Sequence, residues 1–139
     1  MNLSSQAYNT FNTTWWMLKI SYGLVYIVAG ADKFTNLIVV WIKYLNLQIP
    51  ASIEVDPVNF IYIVGIIEIA IGLVTLSKWT KTGAFLIATW LLLIIINLLS
   101  LGTFFDIVVR DTLLAISALS LVFLTTIREQ LQVRNQSVQ

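Results

Sequence analysis

Glu68 stands at the midpoint of an apolar run from Phe60 to Leu76 and is the residue best placed to do chemistry. A helix over 59–77 is about 28 Å long, close to the thickness of a hydrocarbon core, so its carboxyl lies near the bilayer midplane. A charge there costs about 3 kcal/mol or more unless it is neutralised, paired or hydrated, which makes the position a candidate functional site by default. Few groups can act with it. Asp106 and Arg110 fall at i and i+4 at the start of a later apolar segment and can pair on one helix face, with Asp111 beside them. Tyr26, Asp32 and Lys33 end the first apolar segment, and Asn97 lies near the end of the third. Helical side chains lean toward their own N-terminus, so Lys33 and Glu68 on antiparallel helices lean toward each other. Arg110 leans the other way, toward Asp106 and Asp32. Glu68, Arg110 and Lys33 thus form a candidate catalytic set with proton-transfer and hydrogen-bonding roles, and Tyr26, Asp32, Asn97, Asp106 and Asp111 a candidate binding set. The same residues also read as a buried ion-pair network that only fixes helix register, since losing one partner of such a network is costly whatever its function.

The elements that must position these groups are membrane spans. Of 139 residues, 58% are hydrophobic and 11% charged, against roughly 45–50% and 25% in a soluble domain. The expected fold is an all-α integral membrane protein, a four-transmembrane-helix bundle with spans at about 15–31, 59–77, 83–101 and 106–127. Residues 1–14 form a polar N-terminal tail and 128–139 a polar C-terminal tail, so one membrane domain occupies 15–127. Trp15 and Trp16 mark a membrane boundary, and Lys19 can snorkel back to the headgroups there. Lys19, Tyr22, Gly23, Tyr26, Gly30 and Lys33 recur at helical spacing and give the first span one polar face. Gly65, Glu68, Gly72 and Thr75 do the same for the second, where the glycines admit a close neighbour. Trp90, Asn97 and Ser100 share a face of the otherwise aliphatic third span. Between the first two spans, 36–48 is too short to cross but apolar, with Trp41, Lys43 and Tyr44 at interfacial positions; it reads as an interfacial or re-entrant segment. Ile49-Pro50 is expected to break it, and Glu54 and Asp56 to form a plain solvated turn.

Absences narrow the chemistry. With no Cys and no His, and Met only at positions 1 and 17, the chain has no dithiol relay, no usual haem ligands and no thiolate cluster site. No metal site is expected, and no cofactor bound by ligands of its own. Net charge is +1 with scattered basic residues, which gives nucleic-acid binding no support. Lys78, Lys81, Arg128 and Arg134 lie on the side of the N-terminus. The positive-inside rule therefore makes both termini cytoplasmic, with the 32–58 connection facing outward.

Gly23-Leu24, Ala29-Gly30-Ala31-Asp32-Lys33-Phe34, Trp41, Tyr44-Leu45, Gly65-x-x-Glu68-x-x-x-Gly72 and Asp106-x-x-x-Arg110-Asp111 together resemble the DoxX family of small four-span membrane proteins. The resemblance runs from about Trp15 to Ile127. It implies a multi-pass protein of a prokaryotic inner membrane, a four-helix bundle linked to membrane oxidoreductase systems of the respiratory chain, including quinol oxidases and thiosulfate:quinone oxidoreductases. The expected function is an accessory or quinone-site subunit of such a complex, with quinone as the candidate ligand and other membrane subunits as partners. A structural or assembly protein is the alternative, and a small-solute or proton transporter, which would need a homo-oligomer, ranks below both.

Overall fold

A computed structural model describes residues 5–136. Its helices are α1 (Ser5–Thr35), α2 (Gln48–Ser52), α3 (Pro57–Leu76), α4 (Thr80–Leu101) and α5 (Phe105–Gln136), with one 3-10 turn at Trp41–Tyr44. No strand occurs among the described residues. α3, α4 and α5 are each long and apolar enough to cross a membrane. α1 is not of that composition, because Lys19, Tyr22 and Tyr26 interrupt its apolar stretch.

The helices bury their polar side. On α1 the buried stripe is Trp15, Lys19, Tyr22, Tyr26, Gly30 and Lys33, and on α3 it includes Ile61, Gly65, Glu68, Gly72 and Thr75. Both sets recur every three or four residues, so each defines one helix face. The opposite faces are aliphatic and open: Val25 and Val28 on α1, Ile66 and Leu73 on α3. Large apolar side chains pointing outward around a polar interior suit lipid as the surrounding solvent rather than water.

α1 packs on α3, α4 packs on α5, and α3 against α4 joins the two pairs. The α1–α3 approach is glycine-made. A methyl group added at Gly30 would lie 2.6 Å from the Gly65 carbonyl oxygen, and one at Gly72 would lie 2.7 Å from that of Gly23. Backbone therefore touches backbone, which any larger residue would prevent. Between α4 and α5 the small residues Ala84, Ala88, Ala115 and Ala118 serve the same close approach, around a core completed by Ile87, Leu91 and Leu121.

Four features differ from the sequence expectation. α1 begins at Ser5 and α5 runs to Gln136, so most of both expected tails is helical, while 1–4 and 137–139 lie outside the described residues. Thr10 and Thr14 are accommodated inside α1 by donating to carbonyls four residues back. Pro50 does not break the connection: it sits in the first turn of α2, where a missing N–H leaves no bond unmade. Asp56 is more than solvated loop, since its Oδ1 accepts from the N–H groups of Val58 and Asn59 and caps α3 ahead of Pro57. Such a cap stabilises a helix by about 1 kcal/mol. α4 ends at Gly102, whose φ of 65° is the left-handed closure that glycine takes without strain.

Candidate functional site

Lys33 and Glu68 project from either side of the Gly30–Gly65 crossing and lean back to meet beside it. Lys33 Nζ lies 2.5 Å from Glu68 Oε2, and both side chains are almost wholly buried. The second carboxylate oxygen accepts from the Trp90 indole N–H of α4 at 3.1 Å. One carboxylate thus ties α1, α3 and α4 together.

The ammonium is covered by an aromatic ring. Lys33 Nζ sits 3.5 Å from the centroid of Trp41, a cation–π contact. Asp32 holds that ring in place. Its Oδ1 accepts from the N–H groups of Leu37 and Ile38, each at 2.9 Å, and its Oδ2 accepts from Val39 N–H at 3.0 Å and from the Trp41 indole at 2.8 Å. Asn36 turns the chain with φ of 50° so that these donors converge. Asp32 lies past the apolar part of α1; burial alone would raise its carboxyl, and the N–H donors of Ile38, Trp41, Val39 and Leu37 together hold it below its ordinary value. Adjacent residues therefore do different work: Lys33 faces the interior, and Asp32 winds the connection over it.

Asn97 fastens the far end of the connection. Its amide donates to the Tyr44 carbonyl at 2.5 Å and its Oδ1 accepts from Asn46 N–H at 3.0 Å, while Asn46 donates onward to Ser100. Asn97 is thus a clamp for the 3-10 turn, not a neighbour of Glu68. Tyr26 is buried and donates to the Ile87 carbonyl at 3.3 Å; the carboxylates of Glu68 and Asp111 both act on it electrostatically. Tyr22 donates to the Leu114 carbonyl at 2.7 Å. Arg110 does not pair with Asp106. Its Nε and Nη2 both reach Asp111 Oδ1 at 3.0 Å, and Asp106 is exposed. Asp111 is buried and the guanidinium largely open, so the arginine wraps from outside onto an inward carboxylate. The interior cluster is Lys33, Glu68, Trp41, Trp90 and Tyr26, with Asp111 close by; Asp32 and Asn97 act through the connection, and Asp106 stands apart.

Trp41 and Trp90 were the members that sequence reasoning missed. Trp90 could have been found by depth, because it lies near the middle of α4 as Glu68 does of α3 and carries a donor in an otherwise aliphatic stretch. Trp41 left no comparable signal, since its position depends on the turn that Asp32 builds. Among the described residues no group of three or more Asp or Glu side chains is placed to hold a metal ion. Chemically the cluster can hold a proton in the Lys33–Glu68 hydrogen bond and fix an indole against a carboxylate.

The fold and site together describe an all-α bundle with at least three membrane-length helices and a sealed ion pair inside. Comparison with family models, curated proteins and solved structures finds no match to this chain.

Proposed function

We propose that the protein is a four-span accessory subunit of a larger membrane complex, in which the Glu68 network pins α1, α3, α4 and the 36–47 connection in register. Closure carries this reading: Lys33 and Trp90 occupy the two oxygens of Glu68, and Trp41 covers Lys33. A catalytic acid or base must reach the proton it moves; this carboxylate reaches only other side chains. The fourth span is α1, whose polar stripe faces inward while aliphatic residues face out. The DoxX resemblance supports a redox complex in a prokaryotic inner membrane as the setting, and the excess of basic residues on the side of the termini supports a cytoplasmic placement of both. Native purification with identification of co-purifying subunits tests the partner. In Glu68→Gln we expect lower complex yield and lower detergent stability, with the partner's turnover per assembled complex unchanged. Full yield with lost turnover would overturn the reading.

That last outcome would favour a quinone site. One observation supports it: Lys33, Trp90 and Tyr26 gather around Glu68 at acyl-chain depth beneath a single ring, so an outward swing of Trp41 would offer donors and an acceptor to a quinone headgroup. Loss of quinone reduction in Glu68→Gln is its expected signature.

A further inference from the structure

The opposite end of the bundle gathers several cations around a single carboxylate side chain. Lys19 Nζ lies 4.9 Å from the Trp15 ring centroid and 5.0 Å from that of Trp16, and the Arg128 guanidinium carbon lies 3.7 Å and 5.7 Å from the same two rings. Two cations on one indole pair are close enough to repel each other, and Lys19 feels the charge of Arg128. Of the seven Asp and Glu side chains, only Glu129 lies at this end, and it is engaged with Lys81. Lys19 spends one donor on the Ser77 carbonyl at the end of α3, a neutral acceptor. Arg128 Nε is buried and makes no hydrogen bond; Asn12 Oδ1, one turn before Trp15, is likewise buried without one, and it too is neutral. Trp16 is exposed beside the pair. Tryptophans of this kind sit at headgroup level, where the anions within reach are lipid phosphates.

We propose that Trp15, Trp16, Lys19 and Arg128 form a binding site for the phosphate headgroup of an anionic phospholipid, which supplies the negative charge this end of the bundle lacks. The proposal rests on α1 being a span whose tryptophans lie at the interface, and it is independent of what the Glu68 network does. Arg128 offers planar donors suited to a phosphate and Lys19 adds a point charge; buried Trp15, its indole N–H given to Thr125, backs the two cations, and the exposed Trp16 borders the glycerol region.

The test uses the whole protein in neutral detergent, with native mass spectrometry and thermal unfolding in the presence of phosphatidylglycerol, phosphatidylcholine or inorganic phosphate. Phosphatidylglycerol should be retained and should raise Tm, with phosphatidylcholine doing neither. Arg128→Gln should weaken phosphatidylglycerol retention by clearly more than the roughly fivefold that one generic interfacial cation is worth. Lys78→Gln, which removes a charge from the same end but not from the indole pair, should cost no more than about that generic fivefold. Equal retention of both lipids by the wild-type protein would overturn the proposal without recourse to any variant. So would equal losses in the two variants, which would mean general charge attraction. Stabilisation by inorganic phosphate with no preference between lipids would assign the anion to the aqueous phase and overturn the lipid.

Discussion

The two ends of this bundle treat charge in opposite ways. At the Asp32 end each buried charge has a partner from its own chain: Lys33 and Glu68 pair with each other, Asp111 takes Arg110 from outside, and Asp32 accepts from four N–H groups. At the Trp15 end Lys19 and Arg128 rest on indole rings, and Lys19 also on a neutral carbonyl, while Lys81 meets Glu129 at the surface. In the proposed arrangement of four spans, depth accounts for the difference. A charge in the hydrocarbon region finds no water and must be matched internally, whereas one at headgroup level can use rings, water and lipid. The first end is closed by its own side chains, and the proposed lipid site would supply the second end's missing charge.

The largest effect should come from breaking the deep pair. Glu68→Leu strands the Lys33 ammonium and removes the acceptor of Trp90, and single removal of a buried partner costs about 3–5 kcal/mol. Adding Lys33→Met should recover most of that loss, since replacing both members by apolar residues of similar volume is often neutral. Unfolding in detergent measures both. A double variant as weak as the single would show that register, not charge matching, is what the pair supplies.

Next is Gly30→Ala, which pushes a methyl group against the Gly65 carbonyl and moves α1 off α3. The expected loss is about 1–3 kcal/mol by the same assay, with Lys33 drawn away from Glu68. An unchanged Tm would mean that the crossing yields without strain.

Much of this was legible in the sequence, and what was legible had local causes. Glu68 at the middle of an apolar run, glycines one turn to either side, and the inward lean of Lys33 follow from helix geometry alone. The choice of Asp111 over Asp106 by Arg110 could not be read that way. Helix spacing favours the i−4 carboxylate, yet Asp106 points outward and the buried Asp111 carries the greater need for a counter-charge. The Trp41 cover depends on a left-handed Asn36 and three consecutive N–H groups folding onto Asp32, an arrangement that no periodicity encodes. Helix ends were misjudged because polar composition says where lipid stops, not where the backbone stops being helical.

The Asp32 turn should open without the bundle unfolding. Asp32→Asn keeps the side chain's shape but loses the charge that gathers four donors. Amide hydrogen exchange at Leu37, Ile38 and Val39 should then quicken, while the middle of α3 stays protected. Acid should do the same to the wild-type protein. A carboxyl held below its ordinary value contributes stability that is present above that value and lost as pH falls through the lowered one, so the turn should loosen only below about pH 4. Asp32→Asn should flatten that dependence. Loosening that begins near neutral pH in the wild-type protein would mean that another group controls the turn.

The smallest effect belongs to the ion pair at the basic end. Lys81 and Glu129 meet at 3.3 Å with both side chains about half exposed, so solvent screens them and ordering two long side chains offsets the attraction. Glu129→Gln should lower stability by no more than about 1 kcal/mol, and high salt should erase the difference. The contrast with Glu68→Leu, which strips Trp90 as well as Lys33 of its acceptor, then sets a buried carboxylate against an exposed one. A loss at Glu129 rivalling that at Glu68, persisting in high salt, would show that the basic end also depends on internal pairing. The division between a closed end and a lipid-facing one would then fail.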